Sequence, residues 1–311
     1  MAKLRNKNLI SIRELSKEEV QMVLNLAKFL KNRAKKGVTP KILKGKTIAM
    51  IFEKPSNRTR VSFEVGMWQL GGLAINLDFK GLRFGSGESI PDIARTLSRY
   101  VNGVVIRTFN HENVKELAKN SSIPVINGLT DLSHPCQALA DLFTIWEKKG
   151  DLRKIKIAYV GDGNNICHSL FNIASIMGME MIAACPKGYE PDPKVMKVVY
   201  EDAKKSKAIV NVVNDPIDAV VGADVIYTDV WTSMGQEKEE AVRLKAFKKF
   251  QVNSALVNKA KKDVIVMHCL PAHRGEEITS DVIDGKRSVV FDQAENRLHV
   301  QKAILALLME G

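Results

Sequence analysis

The sequence predicts an α/β protein of two tandem domains. Each would carry a mainly parallel sheet flanked by helices, with a C-terminal helix returning to the first domain. Three observations carry that expectation. Short apolar runs alternate with segments of helical period almost throughout the chain. Those runs are near-continuous rather than alternating, as in strands covered on both faces. The chain has 311 residues, and domains usually run to roughly 100–200 residues each.

The elements follow in order. Ser16 and Glu19 form a capping box ahead of a helix of about 15 residues. Strand-like runs follow at 47–52, 74–79, 104–109 and 123–127. A helix over 60–70 would place Val61, Val65 and Trp68 on one face, with Gly71-Gly72 as its stop. The Gly-rich loop "KGLRFGSGES" comes next, then Ser89 and Pro91 open a helix with Ile93, Leu97 and Val101 in register. The segment 146–154, "WEKKGDLRK", reads as the linker. Beyond it lie six strand-like runs: "KIKIAYVGD", "MEMIAAC", "AIVNVVND", "DVIYTDV", "DVIVMHCLP" and "SVVFD". Residues 294–309 read as one long amphipathic helix that packs back onto the first domain. The expected domains are therefore 1–148 with 294–311, and 149–293.

Composition excludes several classes. No apolar run approaches the roughly 18 residues of a membrane span, and the N-terminus lacks the apolar core of a signal peptide. The four cysteines, Cys136, Cys167, Cys185 and Cys269, are widely spaced, which fits a reducing cytoplasm and neither a disulfide framework nor a zinc knuckle. The formal net charge is +12. Nucleic-acid binding would explain it, but the lysines are dispersed among acids and no aromatic series accompanies them. A solvated surface that favours anionic substrates fits better.

The most polar turn is "FEKPSNRTR", residues 52–60. A strand ending there and a helix starting near Arg58 would present free N–H groups and the positive end of a helix dipole to an anion. Ser56, Asn57 and Thr59 add donors, and Arg58 adds a fork that fits phosphate oxygens. The same residues also suit a simple helix cap. In "SHPCQALADL", Pro135 suits a first helical position, with His134 at the turn mouth and Cys136 and Gln137 in the first turn. Arg107 ends a strand and would reach the same edge, though a surface ion pair would also account for it.

In the second half, "VGDGNNICHSL" resembles a dinucleotide turn, but Ile166 stands where the third glycine belongs. An NAD-dependent oxidoreductase is thereby disfavoured. Asn165 offers an amide near a helix start instead. In "TDVWTSMGQ", Asp229 at a strand end suits an ammonium, and N–H groups near Ser233 and Met234 suit a carboxylate. An ordinary polar loop is the alternative. "MHCLPAHRG" leaves a strand at His268 and turns at Pro271, with Cys269 reaching the inter-domain cleft. Adjacent strand residues point to opposite faces, so His268 and Cys269 are expected to make a poor metal set.

Taken in order, Ser56-x-Arg58-Thr59, His134-Pro135-x-Gln137, Asp229-x-x-x-Ser233-Met234-Gly235 and His268-Cys269-Leu270-Pro271 resemble the carbamoyltransferases. The last two motifs resemble the ornithine branch, as distinct from aspartate, putrescine and acetylornithine relatives. The resemblance spans essentially the whole chain. It implies an N-terminal domain for carbamoyl phosphate, a C-terminal domain for L-ornithine, and a homotrimer or multiple of trimers with active sites at subunit boundaries. It implies no metal, no cofactor, no nucleic acid and no membrane. Ser56, Asn57, Arg58, Thr59 and Arg107 would hold carbamoyl phosphate. The His134-Pro135-Cys136-Gln137 turn and Arg297 would complete that pocket, with Cys269 and Leu270 by the reacting amine. Asn165, Asp229, Ser233 and Met234 would hold ornithine. Arg58, Arg107, His134 and Cys269 are the residues implied in catalysis. Two positions depart from the family pattern: Asn57 stands where Thr is common, and Arg83 where Gln is usual, in a loop resembling one donated by a neighbouring subunit.

Overall fold

The computed structural model describes residues 4–79, 81–82, 84 and 87–310. The chain divides into two compact units: residues 1–143 with 295–311, and residues 144–294.

In the first unit, helix α1 (Lys17–Lys35) starts where the capping box expects. Ser16 Oγ accepts from Glu19 N at 3.2 Å, and Glu19 Oε2 accepts from Ser16 N at 2.8 Å. The sheet holds β1 (Thr47–Phe52), β2 (Leu73–Leu77), β3 (Gly103–Arg107) and β4 (Val125–Leu129), all parallel, in the order β2-β1-β3-β4. Helices α2 (Asn57–Gln69), α3 (Ile90–Tyr100), α4 (His111–Asn120) and α5 (Pro135–Lys149) connect or follow these strands. Ile51, Ile93, Ala94, Leu97, Ile106 and Val114 belong to one core cluster on this sheet.

The second unit repeats the scheme. Its strands β5 (Lys156–Val160), β6 (Glu180–Ala184), β7 (Ile209–Val213), β8 (Val225–Thr228) and β9 (Ile265–His268) are parallel, in the order β7-β6-β5-β8-β9. Helices α6 (Asn165–Met177), α7 (Pro193–Ser206), α8 (Pro216–Val220), α9 (Glu240–Phe247), α10 (Ser254–Val257) and α11 (Ser280–Ile283) lie between or after them. The last helix, α12 (Val290–Met309), belongs to the first unit from Glu295 onward.

Three sequence expectations need correction. "SVVFD" is not a sixth strand: Ser288 makes one isolated bridge to Val266, and Val290–Asp292 already form the first turn of α12. Most of the expected linker is helix, since Trp146 to Lys149 end α5 and Leu152–Lys154 form a 3-10 turn. The third concerns α2. Val61 and Trp68 are 54% and 68% exposed, and the buried side is Thr59, Phe63, Gly66 and Met67. An apolar stripe marks a covered face, but it does not say whether the chain itself provides the cover.

Both sheets have a switch point, where strand order reverses. It lies between β1 and β3 in the first unit and between β5 and β8 in the second. Ligands of open parallel sheets bind beyond the strand carboxyl ends at such points. Ser56 to Thr59 follow β1, Arg107 ends β3, Asn165 follows β5 and Asp229 follows β8. The motifs therefore stand where the topology favours a ligand.

Candidate active site

In the first unit, the β1–α2 turn is locked onto its neighbours. Glu53 N donates to Arg107 O at 2.8 Å, and Glu53 Oε2 accepts from Phe109 N at 3.1 Å and from the Thr108 hydroxyl. Lys54 is buried, pairs with Asp131 and lies 4.1 Å from the Phe109 ring centroid. Ser56 caps α2: its Oγ accepts from Thr59 N at 3.3 Å and donates to Thr59 Oγ1 at 3.0 Å. The cap reading of Ser56 is thus correct, and it leaves room for the anion reading. The N–H groups of Asn57 and Arg58 have no intrahelical partner, and both side chains are exposed. At the end of β3 the register shifts between Ile106 and Arg107, a local irregularity of the kind that re-aims a side chain.

Behind this exposed turn is a buried group of donors. Arg297, on α12, donates through Nη1 to Gln137 Oε1 at 2.5 Å and through Nη2 to Thr59 Oγ1 at 3.3 Å. Thr59, Arg107, His134, Gln137 and Arg297 are each at most 6% exposed. Burial first, then the charges of Arg297 and Arg107, hold His134 well below the usual histidine range. Its imidazole is therefore neutral at pH 7 and can donate a single N–H. Cys136 takes a different direction. Its Sγ donates to Asn127 O at 3.5 Å, and burial pushes the thiol up to about 12, so the thiol is engaged within the fold. Pro135 is the first residue of α5. Arg83 lies outside the described residues.

In the second unit, Asn164 caps α6, with Oδ1 accepting from Ile166 N at 3.0 Å and Cys167 N at 3.2 Å. Its Nδ2 donates to Asp229 Oδ2 at 2.9 Å. Asp229 Oδ1 accepts from Cys269 Sγ at 3.0 Å and from Val230 N at 2.9 Å. A half-buried thiol is thus tied to a buried carboxylate beside the first residue of α6, Asn165. Leu270 has a φ of 59°, rare for a side chain of its size, and its N–H donates to His268 Nδ1 at 2.8 Å. A Cβ on Gly163 would lie 2.3 Å from Pro191 N and 2.4 Å from Glu190 C. The close approach that glycine permits here is used by the protein's own backbone and not by a pyrophosphate.

Two expectations meet differences here. Asp229, His268 and Cys269 do bring ligand atoms within 4.8 Å of one another, because Cys269 lies past the strand end and no longer alternates with His268. Both ring nitrogens of His268 are nonetheless engaged, Nδ1 by Leu270 and Nε2 with Glu277 Oε1 at 2.9 Å. Met234 is exposed, but Ser233 N donates to Gln236 Oε1 at 3.1 Å, so this N–H is satisfied within its own loop.

The supporting residues escaped the sequence reading. They are Asn164 beneath Asp229, Asp141 beneath Gln137, and Arg243. The Arg243 guanidinium joins Asp162 Oδ2 at 3.1 Å, Glu239 Oε2 at 3.0 Å and Trp231 O at 2.9 Å, clasping the loop that carries Ser233 and Met234. Burial raises Asp162 to about 6 against the opposing pull of Arg243. Each support sits one helical turn from a motif residue or on a separate element, and only the former leaves a signal in spacing.

Residues 7–147 match the family model of the aspartate/ornithine carbamoyltransferase carbamoyl-P binding domain, and residues 153–308 that of the Asp/Orn binding domain. The chain belongs to the aspartate/ornithine carbamoyltransferase family. Within it, the chain is 54% identical to the ornithine carbamoyltransferase of Thermococcus kodakarensis, over 99% of this chain and 98% of that protein. It is also 54% identical, with the same coverage, to a Pyrococcus furiosus protein named ornithine carbamoyltransferase, anabolic. The solved structure of ornithine carbamoyltransferase from Pyrococcus furiosus superposes with a TM-score of 0.97 at 53% identity, covering 100% of this chain and 99% of that one. That from Gloeobacter violaceus gives 0.87 at 46% identity, covering 98% and 99%.

Proposed function

We propose that this carbamoyltransferase-family chain moves the carbamoyl group of carbamoyl phosphate to the δ-amine of L-ornithine, giving L-citrulline and phosphate. The observation that carries the reading is the Asp229–Cys269 contact, at 3.0 Å and braced by Asn164. It unites the two motifs that resemble the ornithine branch. Relatives named ornithine carbamoyltransferase at 54% identity over nearly the whole chain support it.

In the first unit, the α2 N-terminus with Ser56, Asn57, Arg58 and Thr59 would hold the phosphate. Arg107 and neutral His134 would donate to the carbonyl oxygen as negative charge develops there, and Gln137 would accept from the amino group. Preorganised donors of this kind are worth about 10²–10³ in rate each. In the second unit, Asp229 would pair with the α-ammonium of ornithine. Asn165 and the Ser233–Met234 loop would take the α-carboxylate once Ser233 N exchanges Gln236 for substrate. The δ-amine attacks the carbonyl carbon, a C–N bond forms, and the C–O bond to phosphate breaks. The amine must first lose a proton, since alkylammonium groups titrate near about 10.4. Cys269, a phosphate oxygen of the substrate and solvent can each take it.

The assembly would be a trimer or a multiple of trimers. Val61 and Trp68 of α2 and Leu73 and Ile75 of β2 are exposed apolar side chains of the first unit that a subunit contact would cover. A cytoplasmic setting agrees with four free cysteines and with the lack, among the described residues, of a helix long and apolar enough to cross a membrane. A citrulline assay with ornithine and putrescine in parallel tests the substrate. Putrescine lacks the α-carboxylate, and faster turnover of putrescine would overturn the assignment.

A further inference from the structure

We infer that Asp141 is a positioning residue that sets donor specificity, by fixing which face of the Gln137 carboxamide meets the substrate. The inference rests on the carbamoyl phosphate reading above. Gln137 and Asp141 are four residues apart on α5, hence on one face of the helix. They are 2% and 0% exposed. Gln137 Nε2 donates to Asp141 Oδ1 at 2.8 Å, and Gln137 Oε1 accepts from Arg297 Nη1.

A carboxamide can turn over with little change of shape, so its orientation must come from its partners. A carboxylate only accepts and a guanidinium only donates. With Asp141 on one side and Arg297 on the other, the flipped form would face donor to donor and acceptor to acceptor. Neither clash could be relieved by water at this burial. Gln137 Oε1 has two lone pairs and Arg297 uses one. The other is left for an N–H donor.

That lone pair separates two ligands of nearly equal shape. Carbamoyl phosphate presents an amino group where acetyl phosphate presents a methyl group. The amino group donates to Gln137 Oε1, whereas the methyl group leaves a buried acceptor unpaired. Without Asp141 only Arg297 opposes the turned form, and the distinction weakens.

The test compares binding of carbamoyl phosphate and acetyl phosphate by calorimetry in the full-length protein, Asp141→Leu and Asp141→Asn. Leucine removes the acceptor at similar size. Asparagine keeps a carbonyl that can accept from Gln137 Nε2. The expected result is a preference for carbamoyl phosphate that falls at least about tenfold in Asp141→Leu and stays within about threefold in Asp141→Asn, a scale set by leaving one buried acceptor unpaired. A merely structural role would weaken both ligands alike and leave the ratio intact. An unchanged ratio in folded Asp141→Leu would overturn the assignment, as would an equal loss in Asp141→Asn. Neutron diffraction on the unmodified protein decides the orientation should the leucine variant not fold. Deuterons on the Gln137 atom facing Asp141 support the inference, and deuterons on the atom facing Arg297 overturn it. A protein that binds neither phosphate sinks the carbamoyl phosphate reading, and the neutron result still decides the orientation.

Discussion

Replacing Asp229 by asparagine separates two roles that one carboxylate could fill. Asp229 accepts from Asn164 Nδ2, Cys269 Sγ and Val230 N, at 2.9, 3.0 and 2.9 Å. In Asp229→Asn the new NH₂ must replace one acceptor. On the Oδ2 side it meets Asn164 Nδ2, and Asn164 cannot turn over without losing its cap on Ile166 and Cys167. On the Oδ1 side it meets the fixed N–H of Val230. Either conflict costs about 1–3 kcal/mol, and every amine substrate suffers it alike. Only a substrate with an α-ammonium loses a charge partner as well, worth about 1.5–3 kcal/mol for a hydrogen bond to a charged group. The comparison is therefore ornithine against 5-aminopentanoate, which keeps the reacting amine and the carboxylate but has no α-amine. The ratio of kcat/KM for the two amines should fall by roughly 10–150-fold in Asp229→Asn. Steady-state citrulline and ureidopentanoate assays give both numbers. An unchanged ratio with both activities depressed would place Asp229 in the chemistry, through Cys269, and refute the ammonium assignment.

Arg58→Gln removes the exposed guanidinium at the α2 N-terminus, and kcat/KM for carbamoyl phosphate should fall by about 10²–10³; near-normal kinetics would unseat it as a phosphate ligand. The pKa of His134 is held below its unfolded value near about 6.5. The folded state then binds fewer protons, so this group's contribution to stability is full above that pH and is lost as pH falls. Urea midpoints between pH 7 and 5 should therefore drop less in His134→Asn than in the unmodified protein, while kcat drops by about 10². Burial holds Lys302 down to about 8, so its contribution is full only near the unfolded value of about 10.4 and falls as pH drops toward 8. Lys302→Met should raise stability at pH 7 and flatten the rise between pH 8 and 10, read by urea unfolding at each pH. Trp68→Glu should lower the oligomeric state in light scattering without lowering the helix signal; an unaltered mass would remove α2 from the subunit contact.

Strand positions were legible because parallel strands covered on both faces are written as unbroken apolar runs, and β1, β3, β5, β8 and β9 are such runs. The same rule misread "SVVFD". Val289 and Val290 are buried as a strand's would be, yet Phe291 is 69% exposed and the segment opens a helix. A short apolar run fits a buried helix start as well as a strand, and length alone could have arbitrated. The error in α2 has a different origin. Periodicity found its apolar stripe, while the residues that pack inward include Thr59 and Gly66, which hydrophobicity does not flag. Gly66 faces inward because Lys302 of α12 packs over it, with Cγ 3.3 Å from where a Cβ would stand. That contact joins residues 236 positions apart, beyond any window of local pattern.

The candidate site divides along the same line. Residues that would touch substrate lie in runs, because a strand end followed by a helix start gathers N–H groups, hydroxyls and a charge within a few positions. Ser56 to Thr59 and His134 to Gln137 are spelled out this way. The groups that aim them need no such adjacency. Arg297 reaches Thr59 and Gln137 from the last helix, and Arg243 reaches Asp162 from a helix that follows three strands later. Asn164 and Asn165 share one motif window, and a cap residue and a ligand residue have the same chemistry. In the fold the Asn164 oxygen is taken by Ile166 and Cys167 while its nitrogen holds Asp229. One asparagine thereby fixes both the helix start and the carboxylate. Asn164→Asp would keep the cap and set two carboxylates against each other, so it should raise the ornithine KM while leaving carbamoyl phosphate binding intact. Equal weakening of both substrates would mean that Asn164 supports the fold of the second unit rather than Asp229.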